Sequence, residues 1–263
     1  MVAEGPVWDS RREKFLFLDI RGQCIWEEDK KITLSQQIGC MALCENGDML
    51  VSLEDGIYRM RDGKIIGKAH QEIKLKGRRF NDGKIGPDGA FYLGTTDENG
   101  EGAFYRLKGG ILTELFDKCG CSNGLEWTQD KKSMYYIDTS KQMIEIFDFN
   151  TEKGELSNRR KFIDIPPEMG KPDGMTLDED DNLWVALWDG HKVIHIDKNK
   201  KEIIDEISVP CPKASCCAFG GKDMNELYIT TADMGDFAEY PLAGSVFKIM
   251  TEIKGRAVYY YKY

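Results

Sequence analysis

The chain has little of what marks several common functions. Only three of its 263 residues are histidine (His70, His191 and His195). The last two stand four apart in a strand-like pattern, which separates their side chains along the strand. This argues against a histidine zinc pair or a Ser-His-Asp triad. No window approaches the roughly 18 continuous apolar residues of a membrane span. Nor does Met1-Val2-Ala3-Glu4-Gly5-Pro6 contain a basic segment leading into an apolar one. No membrane association is expected, and the cytoplasm is the expected compartment. Lys/Arg blocks are missing, and 36 basic against 45 acidic residues leave a net charge of −9. Nucleic acid is therefore not an expected partner. Eight cysteines are too sparse for a disulfide scaffold. Cys216 and Cys217 are adjacent and would point to opposite faces of a strand, and Cys119-Gly120-Cys121 lacks the spacing of a zinc site. All eight are expected to be structural free thiols.

A long helical stripe is also missing, and what fills the chain is β signal. Short aromatic and β-branched runs alternate with Asn, Asp, Gly and Lys turn clusters. The strongest runs are Phe15 to Ile20, Met49 to Leu53, Ala90 to Gly94, Met134 to Asp138, Leu183 to Leu187 and Leu227 to Thr231. Each follows a short apolar strand and a polar turn, and each precedes a third strand; several copies show a fourth. The first strands begin at residues 4, 41, 82, 123, 173 and 215, in steps of 37, 41, 41, 50 and 42. Four strands per repeat of about 40 residues is the pattern of a β-propeller blade. The expectation is all-β: a six-bladed β-propeller of four-stranded antiparallel blades, forming one domain over residues 1–263.

In a propeller the first strands line a central channel, so residues at matching phase converge. The ring reads Glu4, Met41, Asp82 with Asn81 beside it, Asn123, Asp173 and Ser215. Four of the six precede glycine, which allows a tight bend or close approach to a ligand. A lone Asp-Gly or Asn-Gly pair is a turn signal, but several at one phase point to a shared site. Carboxylates and amide oxygens without in-phase Lys or Arg suit a hard divalent cation such as calcium, magnesium or manganese, and zinc also accepts carboxylates. Asp178-Glu179-Asp180-Asp181-Asn182 lacks the glycine and closing glutamate of a calcium loop and reads as a solvated turn. Gly220-Gly221-Lys222 lacks the lead and the Ser/Thr of a phosphate loop and reads as another turn.

Several motifs carry a family resemblance: Arg79-Phe80-Asn81-Asp82-Gly83-Lys84, Ser122-Asn123-Gly124-Leu125-Glu126-Trp127, Ser157-Asn158-Arg159-Arg160, Pro172-Asp173-Gly174-Met175 and Ser215-Cys216-Cys217-Ala218-Phe219-Gly220-Gly221-Lys222. From Glu4 to about Lys254 the chain resembles the senescence marker protein/gluconolactonase family. The resemblance implies one divalent metal ion in the channel (calcium, zinc, manganese or magnesium) and hydrolysis of a small-molecule sugar lactone. By motif, Glu4, Asn123 and Asp173 would be the metal ligands, with Asp173 also the proton acceptor. Arg79 and Asn81 would contact substrate, Asn81 being preferred to the in-phase Asp82. Glu98 stands in for a further acidic contact, because an ungapped match lands on Asn99.

The family also carries a strand ahead of the Glu4 motif that has no counterpart here. Ring closure is therefore expected from the run Ala257 to Tyr263, and Glu4 is expected to fray. The expected chemistry is metal-assisted attack of water on the lactone carbonyl, with Asp173 as general base. A phosphotriesterase or arylesterase on the same fold and a non-catalytic calcium-binding propeller are the alternatives.

Overall fold

The computed structural model describes residues 1–71, 75 and 78–263, and its strands fall into six sheets in chain order. The first contains β1 (Ala3–Asp9), β2 (Lys14–Asp19), β3 (Cys24–Glu27) and β4 (Lys30–Thr33). The second holds β5 (Ile38–Leu43), β6 (Met49–Leu53), β7 (Gly56–Arg61) and β8 (Lys64–Lys68). In the third are β9 (Arg79–Ile85), β10 (Phe91–Thr96), β11 (Gly102–Lys108) and β12 (Ile111–Cys119). The fourth is built from β13 (Ser122–Trp127), β14 (Ser133–Asp138), β15 (Met143–Asn150) and β16 (Glu155–Asp164). The fifth comprises β17 (Lys171–Leu177), β18 (Leu183–Trp188), β19 (Lys192–Asp197) and β20 (Glu202–Ser208). The sixth has three strands, β21 (Ala214–Gly220), β22 (Glu226–Thr231) and β23 (Val246–Met250). Every pairing within a sheet is antiparallel between chain neighbours, so the fold is a six-bladed β-propeller.

Burial follows position in the blade. Second strands such as β18, Leu183-Trp184-Val185-Ala186-Leu187, are buried on both faces, because each blade is packed between two others. Fourth strands such as β20 are largely exposed and carry the charges. The cores lie between blades. Tyr92, Phe104, Trp127, Tyr136, Phe147 and Phe149 join the third blade to the fourth, with Tyr92 and Trp127 ring centroids 5.0 Å apart. Each such buried aromatic contributes roughly 2–3 kcal/mol of transfer free energy.

The ring does not close through a strand from the C-terminal run. Ser215 Oγ donates to the Ala3 carbonyl at 2.6 Å, Val2 bridges Ala232, and Phe15 stacks on Tyr228 at 4.0 Å. The first and sixth blades are thus joined by direct contact. The Ala257 to Tyr263 run instead crosses the rear mouth of the channel. Tyr261 N donates to Leu43 O at 2.8 Å, Lys262 N donates to Gly89 O at 2.9 Å, and Tyr260 Oη donates to Asp9 at 2.9 Å. It serves as a strap because its backbone bonds to the ends of inner blades rather than to a sheet edge. Glu4 does not fray: Val2 N donates to Asp19 Oδ1 at 3.0 Å, and Ala3 is fully buried.

The acidic turn after β17 also differs from expectation. Asp178 is fully buried, accepting from Trp184 Nε1 at 3.2 Å and pairing with His195 Nε2 at 3.1 Å. Its job is to fasten the turn to the blade, which the polarity of its neighbours concealed. Among the described residues no cysteine is in a disulfide, and no helix is long and apolar enough to cross a membrane.

Candidate active site

Every inner strand breaks register at the same phase. The irregularities lie between Glu4 and Val7, Ile38 and Met41, Asn123 and Leu125, Pro172 and Met175, and Ala214 and Cys216. In the third blade Gly83 and Phe80 are the flanking partners, which puts Asn81 and Asp82 in the bulge. A bulge re-aims the side chains at its position. All six lie at one phase, where four of the blades carry Glu4, Asn81 with Asp82, Asn123 and Asp173.

Gly5 takes the left-handed conformation of a tight bend, with φ +52°, whereas Gly124 and Gly174 serve close packing. A Cβ on Gly124 would stand 2.6 Å from the Asp173 carbonyl, and one on Gly174 would stand 2.2 Å from Cys216 Sγ. Their missing side chains let neighbouring inner strands approach one another.

The structure brings five of the expected residues, Glu4, Arg79, Asn81, Asn123 and Asp173, into one hydrogen-bonded or electrostatically coupled group. Arg79 Nη1 donates to Asn81 Oδ1 at 2.9 Å, and Asn81 Nδ2 donates to Asn123 Oδ1 at 2.8 Å. Asp173 is buried, and the charges that act on it are Glu4, Asp82 and Arg79. Burial pushes Glu4 up to about 8, with Asp82 adding to the rise and the Gly5 N–H and Arg79 opposing it. Burial likewise holds Asp173 well above the usual carboxylate range, reinforced by Glu4 and then Asp82. Among the described residues no hydrogen bond offsets the cost for the Asp173 carboxyl.

Glu98 is not brought to this group. It is exposed on the loop that Asp97 organises by accepting from Asn99 N at 2.8 Å. Two in-phase residues also turn elsewhere. Met41 joins the core between the first two blades, and the buried Ser215 hydroxyl is engaged by Ala3 and Thr230.

Sequence reading missed three neighbours of the site. Thr139 Oγ1 accepts from Asn123 Nδ2 at 2.7 Å. The Cys121 thiol lies 3.6 Å from Asn123 Nδ2 and 3.7 Å from Asn81 Nδ2, and burial, with Asp173 next, pushes it up to about 11. Lys84, behind the group, pairs with Glu126 at 2.8 Å and donates to the Met175 carbonyl at 3.0 Å. Only the alternation of Asp82 and Lys84 along one strand face signalled that last layer. Lys84 and Glu126 line a cavity of about 90 Å³ that Arg256 to Tyr259 close from the rear.

The donor set fits a divalent cation. The channel holds the carboxylates Glu4, Asp82, Glu126 and Asp173 against the cations Arg79 and Lys84, which would leave two negative charges uncompensated if every carboxylate were ionised. Among the described residues no three His, Cys, Asp or Glu side chains cluster at metal-binding distance. The candidate set therefore has only two carboxylates, Glu4 and Asp173, and needs the amide oxygen of Asn123. Oxygen donors of this kind suit calcium, magnesium or manganese.

The SMP-30/gluconolactonase/LRE-like profile matches residues 2–233. The chain belongs to this family. It is 35% identical to the candidate sugar lactone lactonase YvrE of Bacillus subtilis (strain 168), covering 97% of this chain and 93% of that one. It is 32% identical to regucalcin of Gallus gallus, over 94% and 90% of the two chains. Among solved structures, the calcium-binding regucalcin of Agrobacterium tumefaciens superposes with a TM-score of 0.93 at 25% identity, over 100% of this chain and 94% of that one. The homology is to the lactonase and gluconolactonase family, in which some members carry the name regucalcin.

Proposed function

We propose that this chain is a divalent-metal-dependent hydrolase of sugar lactones, with Glu4, Asn123 and Asp173 holding the metal. The observation that carries the reading is the pair of half-buried Glu4 and buried Asp173, which repel one another with Arg79 as the countercharge that acts on both. A divalent cation, when bound, supplies Lewis acidity toward a carbonyl oxygen and acidifies water. Asp173 is the general base that takes a proton from the attacking water, and its ionised form is the one required.

Arg79 orients the substrate. Its Nη1 is anchored on the Phe80 carbonyl at 3.1 Å and on Asn81, and the residue lines a rim groove with Gln37 and Glu54. A guanidinium so anchored offers its remaining N–H groups to hydroxyl or carbonyl oxygens. Asn81, tied to Arg79 and Asn123, keeps that donor in register with the metal ligands. The substrate class is a small lactone, without a nucleic acid or membrane partner.

The test is turnover on a panel of aldonolactones beside a phosphotriester, with calcium, manganese, magnesium or zinc restored. Preferential hydrolysis of a lactone is expected. Preferential turnover of the phosphotriester assigns the esterase reading instead. Calcium binding without hydrolysis of any ester assigns a binding role, as the description of the Agrobacterium regucalcin as calcium-binding suggests.

A further inference from the structure

The Asn123 side chain sits in a chain of hydrogen bonds whose two ends fix its direction. Arg79 can only donate, and its Nη1 reaches Asn81 Oδ1 at 2.9 Å. Asn81 must then present Nδ2 to Asn123, and the observed acceptor is Asn123 Oδ1 at 2.8 Å. At the far end, Thr139 Oγ1 lies 2.7 Å from the Pro172 carbonyl, which can only accept. The single hydroxyl proton is used there. Toward Asn123 the hydroxyl offers only lone pairs, so Asn123 must turn Nδ2 to it, and that contact is 2.7 Å. Each link runs in the same sense from Arg79 to Pro172.

Thr139 is itself held firmly. Its N–H donates to Cys121 O at 3.0 Å, and it opens the short 3-10 turn Thr139–Lys141 after the buried Asp138. Asp138 accepts from Cys121 N at 3.0 Å and Ser140 Oγ at 2.7 Å. The hydroxyl therefore bridges two blades, from the Asn123 amide to the residue that precedes Asp173.

We infer that Thr139 is a positioning residue that locks the Asn123 amide with its oxygen toward the metal site and its nitrogen away. This rests on the reading of Asn123 as a metal ligand. Without the hydroxyl, Asn123 Nδ2 keeps on that side only the long, weak contact to Cys121 Sγ at 3.6 Å. A flipped amide would point a donor at a cation. Outer partners of this kind commonly set metal affinity through ligand orientation.

The experiment is a calorimetric titration of calcium and manganese into chelator-treated full-length protein. Thr139→Val should weaken binding by about 10-fold or more. Thr139→Ser, which keeps the hydroxyl, should remain within about 3-fold of the native chain. The decisive comparison repeats Thr139→Val on an Asn123→Asp background. A carboxylate has two equivalent oxygens and no amide to orient, so the loss there should shrink to about 3-fold or less.

Equal losses on both backgrounds would make Thr139 merely structural and overturn the proposal. So would native affinity in Thr139→Val. If that variant does not fold, Thr139→Ala carries the same comparison. Failure of the native chain to bind either cation or zinc removes the metal reading itself. Native binding with an indifferent Thr139 removes only the positioning role.

Discussion

Two layers of the same channel hold carboxylates that are partly or wholly buried and treat them in opposite ways. In the rear layer Glu126 has a lysine at 2.8 Å, and Lys84 is itself steadied by the Met175 carbonyl at 3.0 Å. Burial works against the charge on Lys84, but Glu126 raises its affinity for the proton, and the net direction is up. In the front layer Glu4 acts on Asp173, and burial raises both, with Arg79 the cation that opposes the rise. One layer is neutralised by the protein. The other keeps its repulsion, the asymmetry on which the proposed function rests.

The largest expected effect comes from the front layer. Asp173→Asn keeps shape and removes the proposed base and one proposed anionic ligand, so lactone turnover should fall about 10³-fold. Native-like kcat in that variant would refute the assignment. The rear layer should respond in stability instead. Lys84→Met leaves Glu126 without its partner and should cost about 3 kcal/mol in urea denaturation, whereas Lys84→Met with Glu126→Leu should recover most of it. If the single change leaves stability untouched, the rear pair does not neutralise that layer.

A pH series separates the layers more finely. The folded-state pKa of Glu4 is raised from 4.5 to about 8, so the metal-free folded chain binds more protons than the unfolded chain in that window. The stability contributed by neutral Glu4 is fully present below about 4.5 and is lost as pH rises through about 8. Saturating cation should remove that slope, and cation affinity should climb with pH over the same window because binding releases protons. A metal-free melting profile that is flat from pH 5 to about 8 would contradict this.

The propeller was legible because its repeat writes each blade separately, and the phase of Glu4, Asn123 and Asp173 carried the candidate site. What phase could not convey is direction. Ser215 and Met41 share that phase, yet Ser215 staples the first blade to the sixth and Met41 packs in a core. The bulges that decide which side chain turns inward depend on register between strands, which a single strand does not display. The motif resemblance preferred Asn81 to Asp82, and the structure ties Asn81 to Asn123 at 2.8 Å. Glu98 followed from an alignment gap rather than from any physical signal, and it stands on an exposed loop. The Tyr-rich end looked like a strand by composition, and only its bonds to Leu43 and Gly89 reveal a strap.

The most direct measurement is lactone turnover by chelator-treated protein before and after addition of one equivalent of calcium, manganese, magnesium or zinc, alongside the metal content of each sample. An uncompensated front layer predicts turnover that vanishes on chelation and returns in proportion to bound cation. Undiminished turnover in protein shown to be free of metal would contradict it.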